Sequence, residues 1–141
     1  VGVYGSRAAN FTVQNSDLIL CLGTRLDTRI TGGVPKSFAR KAKKIVVDVD
    51  KFELNKKRGL KIDLKVELDI KIFFQEYEKH KKEIIIRDDW LLRCKNWKSR
   101  YPIILKEFYN IKKYVNPYVF MDSLSKTLNE KVILPLPIKM R

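Results

Sequence analysis

Two short apolar runs decide most of what this chain can fold into. "DLILCLG" carries an unbroken apolar stretch from Leu18 to Leu22 and stops at Gly23, and "KKIVVDVD" repeats the form, with Ile45 to Val47 apolar and Asp48 and Asp50 behind them. Runs without polar alternation suit strands covered on both faces, the condition of a parallel sheet between layers of helices. A third run, "LKIDLKVELD", is shorter and alternates, which predicts an edge strand. Helical spacing lies between and beyond these runs. "SRAANFTVQNS" offers Ser6 as N-cap with Ala8, Ala9, Phe11 and Thr12 behind it, and "DIKIFFQEYEKH" sets Ile70, Phe73, Phe74 and Tyr77 along one face. Strand and helix alternate, with glycines at strand ends. The prediction is an α/β fold, a Rossmann-like parallel sheet followed by a helical linker.

In such sheets ligands gather at the carboxyl ends of the strands, where loops and helix amino termini converge. Gly5 and Ser6 before the first helix, the segment "GTRLDTRITGG" after the Leu18 run, and Asp48 after the next all fall on that edge. Arg25, Asp27 and Arg29 alternate, so an extended segment would put them on one side, facing a crevice formed with Gly5 and Asp48. Arg25 or Arg29 would fork onto a diphosphate, and an acid at a strand end would accept a bond from a ribose hydroxyl. Read from the residues alone, the same charges equally suit a surface turn in which Arg25 and Asp27 pair with their neighbours, because no complete dinucleotide fingerprint is present.

Charge and composition narrow the classes. The 141 residues carry a formal net charge of +14, with 45% hydrophobic residues and 11% aromatics, enough apolar content for a real core. Most of the excess lies after residue 35, and it is lysine-rich, only nine of the 30 basic residues being arginine. Base-edge and phosphate-fork recognition favours Arg, and no helix-turn-helix, zinc-finger or ribonucleoprotein motif accompanies the charge, so specific nucleic-acid binding is not predicted. Cys21 and Cys94 form neither a metal-ligand spacing nor a disulfide framework and read as thiols of a reducing, cytoplasmic compartment. No run approaches the roughly 18 to 20 apolar residues of a membrane span. His80, the only histidine, sits at a lysine-rich helix end and reads as solvated. No catalytic set and no metal site can be assembled from these residues.

The stretch "GVYGSRAANFTVQNSDLILCLGTRLDTRITGG", with "FARKAKKIVVDVD" behind it, resembles the second half of the central domain of thiamine-diphosphate-dependent enzymes of the acetolactate synthase large-subunit group. Asn10, Val13 to Asn15, Asp17, Gly23, Arg25, Asp27, Arg29, Thr31 and Gly32 carry the likeness. In flavin-containing members this domain holds FAD, and the resemblance implies cofactor-binding roles for Tyr4, Gly5, Gly23, Arg25, Asp27, Arg29, Asp48, Val49, Asp69 and Ile70. Two positions depart from the pattern: Thr28 stands where a second acid is common, and Leu68 stands where a Gly precedes the acid.

The likeness continues into "DDWLLRCKNWKSRYP", which resembles the linker helix to the next domain, with Trp90 and Trp97 as packing anchors, and into "VNPYVFMDSLSKTLNEKVIL", which resembles the opening of the diphosphate-binding domain. It implies a partial central domain at residues 1–80, a helical linker at 81–113 and a truncated start of the third domain at 114–141. After "KVIL" the prolines at 135 and 137 break the pattern, and the tail is predicted to be mobile. By this reading the chain is a fragment of a carboligase or decarboxylase of 2-keto acids, inactive alone. The intact enzyme would be a homo-oligomer using thiamine diphosphate and Mg²⁺ bound by parts not in this chain, so the missing domains or a complementing chain are its partners. A stand-alone nucleotide-binding or interaction module and a basic polyanion binder are the alternatives.

Overall fold

Ser6 opens the first helix as the sequence predicts, its hydroxyl accepting from the Ala9 N–H at 3.2 Å. The computed structural model describes residues 1–81 and 87–128. The strand expected at "KVIL" and the tail from Pro135 lie outside the described residues. Helix α1 (Arg7–Asn15) leads into β1 (Leu18–Leu22), and a crossover carrying the one-turn helix α2 (Thr28–Thr31) and a 3-10 turn at Pro35–Ser37 returns the chain to β2 (Lys43–Asp48). Helix α3 (Lys51–Asn55) then connects to β3 (Leu64–Glu67), with α4 (Ile70–His80) and α5 (Asp88–Arg100) following. Among the described residues three strands form one parallel sheet in the order β1-β2-β3, which sets the alternating third run at its edge. This is the Rossmann-like α/β arrangement followed by helices.

One sheet face carries the core. Cys21 pairs in register with Val46, and both are buried with Leu26 from the crossover and Leu54 from α3, while Ile19, Ile30, Leu60 and Ile62 pack around them. Phe38, Ala39 and Ala42 form an adjoining cluster that shares Ile19, Ile30 and Leu60. Lys44 lies on this face too, buried, with its Nζ donating to the carbonyls of Ala39 at 2.8 Å and Ala42 at 2.9 Å. A buried amine is tolerated there because both bonds are made inside the protein.

The other face corrects the expectation of strands covered on both sides. Val47 is completely buried, but Leu18 is 53% exposed, Leu20 46% and Leu64 52%. Leu20, Ile45 and Leu64 stand opposite one another across the sheet, and among the described residues no layer covers this row.

The described residues divide into two compact units, one up to Tyr101 and one beginning at Pro102. In the first, α5 packs on α1 through aromatic contacts: Phe11 meets Trp97 with ring centroids 5.9 Å apart and Tyr101 at 5.2 Å, and Trp90 meets Trp97 edge-on at 5.8 Å. Thr12 also donates to the Cys94 thiol at 3.6 Å. The tryptophans are packing anchors, and His80 is exposed at the end of α4. The second unit holds a 3-10 turn at Lys106–Asn110 and α6 (Pro117–Thr127), which has Pro117 in its first turn and Asn116 as N-cap. Asp122 of α6 accepts from Tyr109 Oη at 2.9 Å and from Lys126 Nζ at 2.6 Å, tying that turn to the helix.

Candidate functional site

Beyond β1 the chain turns at Gly23, whose N–H donates to Val47 O at 2.9 Å and whose φ of +53° lies in the left-handed region. A Cβ here would overlap the side chain of Ile70, the first residue of α4. Two members of the predicted site therefore meet, and the space over Gly23 is taken by Ile70. Buried Leu26 then pins the loop to the core, holding Arg25 and Asp27 on either side of it.

Asp27 converts the remainder of the loop into a helical turn. Its Oδ1 accepts the N–H groups of Arg29 at 3.0 Å and Ile30 at 3.3 Å, the pattern of an N-cap, while its Oδ2 accepts Arg29 Nε at 3.0 Å and Nη2 at 2.8 Å. The guanidinium holds the Asp27 carboxyl below the usual carboxylate range, and the carboxylate raises Arg29 in return. Buried Thr31 donates to Asp27 O at 2.9 Å, and Gly32, at φ +82°, ends the turn. The extended alternation expected for this segment stops at Thr28. Arg29 comes back beside Asp27 because a capped turn points it there, and strand pleating plays no part.

The flanking loops are tied down through their own backbone. Asn10 grips the Gly2 peptide, accepting its N–H at 2.8 Å and donating to its carbonyl at 3.0 Å, and Val3 N donates to Arg29 O at 2.8 Å. This sets Tyr4, almost fully exposed, within electrostatic reach of Arg29. The Cα of Gly5 faces the backbone of Val1. Asp48 accepts the Asp50 N–H at 2.9 Å, Val49 is exposed, and Asp69 caps α4 by accepting Lys71 N at 2.7 Å. Leu68 N donates to Asp48 O at 3.1 Å.

Arg25, Asp27 and Arg29 share a cleft of about 520 Å³. Its opposite wall is built by α3 and the turn after it, from Glu53, Lys56, Lys57 and Arg58, rather than by Gly5, Asp48 or Asp69. Sequence reasoning missed this wall, although Asp50 and Glu53 have the spacing of a helix start: Asp50 Oδ1 accepts Phe52 N at 2.8 Å and Glu53 N at 3.4 Å. Glu53 pairs with Arg58 and, at 3.4 Å, with Lys56. The exposed guanidinium of Arg25 has no carboxylate partner among the described residues, so the donor set suits an anion such as a diphosphate. Among the described residues no three of His, Cys, Asp and Glu converge on a point that would hold a metal ion, and no chemistry through Mg²⁺ or thiamine diphosphate is assigned to them.

Comparison with known proteins places the same stretch. The family described as thiamine pyrophosphate enzyme, central domain, matches residues 1–77. The acetolactate synthase large subunit of Cyanidium caldarium is 38% identical over 109 residues, covering 73% of this chain and 18% of that protein. The mitochondrial acetolactate synthase catalytic subunit of Saccharomyces cerevisiae is 29% identical over 137 residues, 92% of this chain and 20% of the relative. Isozyme 2 large subunit of Escherichia coli acetolactate synthase is 41% identical over 69 residues, 49% of this chain and 12% of the relative. The chain spans about a fifth or less of the length of the curated relatives it matches.

Proposed function

The chain belongs to the thiamine pyrophosphate enzyme central-domain family, and from that premise we propose that it supplies the nucleotide-facing part of the central domain in an acetolactate-synthase-like carboligase or decarboxylase of 2-keto acids. Residues beyond that domain form the bridge toward a diphosphate-binding domain, and the rest of the enzyme comes from other domains or a complementing chain. When bound there, thiamine diphosphate supplies the electron sink that lets a 2-keto acid become a carbanion. The contribution of this chain is a binding surface for the diphosphate of a dinucleotide such as FAD.

The observation that carries the reading is the cleft in which Arg29 is held by Asp27 while Arg25 stays free to meet a phosphoryl oxygen. A hydrogen bond to a charged group contributes on the order of 1.5 to 3 kcal/mol, so Arg25→Ala should weaken FAD binding about ten- to a hundredfold and leave the unfolding midpoint unchanged. Calorimetric titration of FAD against the wild-type chain and the variant tests this. FAD binding that is measurable yet indifferent to Arg25 removes the assignment.

A further inference from the structure

The wall of the cleft opposite Arg25 is anchored at both ends of a short turn. Leu54 of α3 is buried and Arg58 is tied back to Glu53, and the exposed Lys56 and Lys57 lie between these two anchors on the lining of the cleft. The charges lining the cleft are unequal: Arg25, Arg29, Lys56, Lys57 and Arg58 face only Asp27 and Glu53. Local pairing couples Asp27 to Arg29 and Glu53 to Arg58 and Lys56. Among the described residues Arg25 and Lys57, one on each wall, are left without a carboxylate. Two free cations lining one cleft of about 520 Å³, in an excess of cations over carboxylates, attract an anion of high charge such as adjacent phosphoryl groups.

We propose that this cleft binds anions ending in a free pyrophosphate, with Lys57 meeting the outer phosphoryl group and Arg25 the inner one. A terminal phosphoryl carries about 1.5 to 2 negative charges near pH 7, more than one esterified on both sides, so such an anion matches the excess of cations better than the internal diphosphate of FAD. The inference rests on the reading above only in that Arg25 meets a phosphoryl group. It adds a ligand class that competes with FAD for the same cleft and gives the turn after α3 the selective role.

The test is calorimetric titration of the full 141-residue chain with inorganic pyrophosphate, ADP and FAD, repeated on Lys57→Ala, Lys57→Arg and, as a control of equal charge change on exposed α5, Lys98→Ala. Pyrophosphate should bind more tightly than FAD and displace it. Lys57→Ala should weaken pyrophosphate and ADP by about tenfold while changing FAD less, Lys57→Arg should retain most of the affinity, and Lys98→Ala should have little effect. Equal affinity for pyrophosphate and ADP identifies the phosphoanhydride alone as the ligand, and tighter ADP adds the nucleoside; either result supports the site. Absent pyrophosphate binding, indifference to Lys57→Ala, or an equal loss in Lys98→Ala overturns it. Lost FAD binding with Lys57-dependent pyrophosphate binding removes the flavin reading and leaves this one standing, and the converse result does the opposite.

Discussion

Lys44 shows how one side chain holds a loop that the sheet itself cannot reach. Ala39 has a positive φ of 42°, a conformation that side-chain-bearing residues rarely adopt, and it is kept there from two directions. Gln14 Oε1 accepts its N–H at 2.9 Å, and Lys44 Nζ donates to its carbonyl and to that of Ala42. The same buried lysine faces Cys21: burial pushes the Cys21 thiol up, and the nearby lysine opposes that shift. Lys44→Met preserves the apolar stem and removes the donor; Ala39 O keeps the Ala42 N–H at 3.0 Å, while Ala42 O loses its partner at a cost of about 1 to 3 kcal/mol. Urea denaturation should show a lower midpoint with an unchanged slope. If the midpoint stays where it is, the amine is not what holds the Ala39–Ala42 turn.

Single elements depend on capping carboxylates, and acid should release them. Asp27 caps α2 and pairs with Arg29, and Asp63 accepts Lys44 N at 2.9 Å just before β3 and pairs with Lys61 at 3.0 Å. Both carboxyls are held below their ordinary value, Asp27 chiefly by the Arg29 side chain and Asp63 chiefly by the Lys44 N–H. A depressed folded pKa gives stability that is present above the unfolded value of about 3.9 and is lost as pH falls through the lower folded value. Amide protection factors at Arg29, Ile30 and Lys44 should therefore fall below about pH 4. Asp27→Asn, which keeps a capping oxygen but loses the charge, should flatten the response at α2 and leave that at Lys44 intact; an unchanged α2 profile would show that another group titrates there. These elements were unequally legible in the sequence. β1, β2 and α4 declare themselves because the apolar runs Leu18 to Leu22 and Ile45 to Val47 and the Ile70–Phe73–Tyr77 spacing are local patterns that need no knowledge of distant contacts. The turn at Thr28 was hidden because Arg25, Asp27 and Arg29 alternate like a strand while Asp27 acts as a cap. Gly23 was visible as a glycine but not as the seat of Ile70, and nothing in the sequence marks Lys44 as buried, because both depend on contacts made in the fold. Half of the cleft was legible at Arg25 to Arg29; Lys57 was not, because nothing near it in sequence says which wall it joins.

At the scale of the whole molecule, an exposed apolar strand and a large net charge oppose each other. β1 lies at one end of the strand order among the described residues, and its five residues, "LILCL", contain neither proline nor charge. With Leu18 and Leu20 about half exposed, it has the features of an edge that pairs with other chains. A formal net charge of +14 acts against such encounters by mutual repulsion. That repulsion is long-ranged and screened, with a Debye length near 30 Å at about 0.01 M salt and near 3 Å at about 1 M, whereas the apolar contact is short-ranged and survives salt. Association of the chain should therefore increase as salt is added, the reverse of what surface ion pairs between copies would give. Light scattering across that salt range measures it. Leu20→Lys places a charge on the edge strand at a position already 46% exposed, so it should suppress the salt-induced association at little cost to the fold. Scattering that falls with salt, or that rises equally in the variant, would place the contact elsewhere on the molecule and leave the open row beside Ile45 without that role.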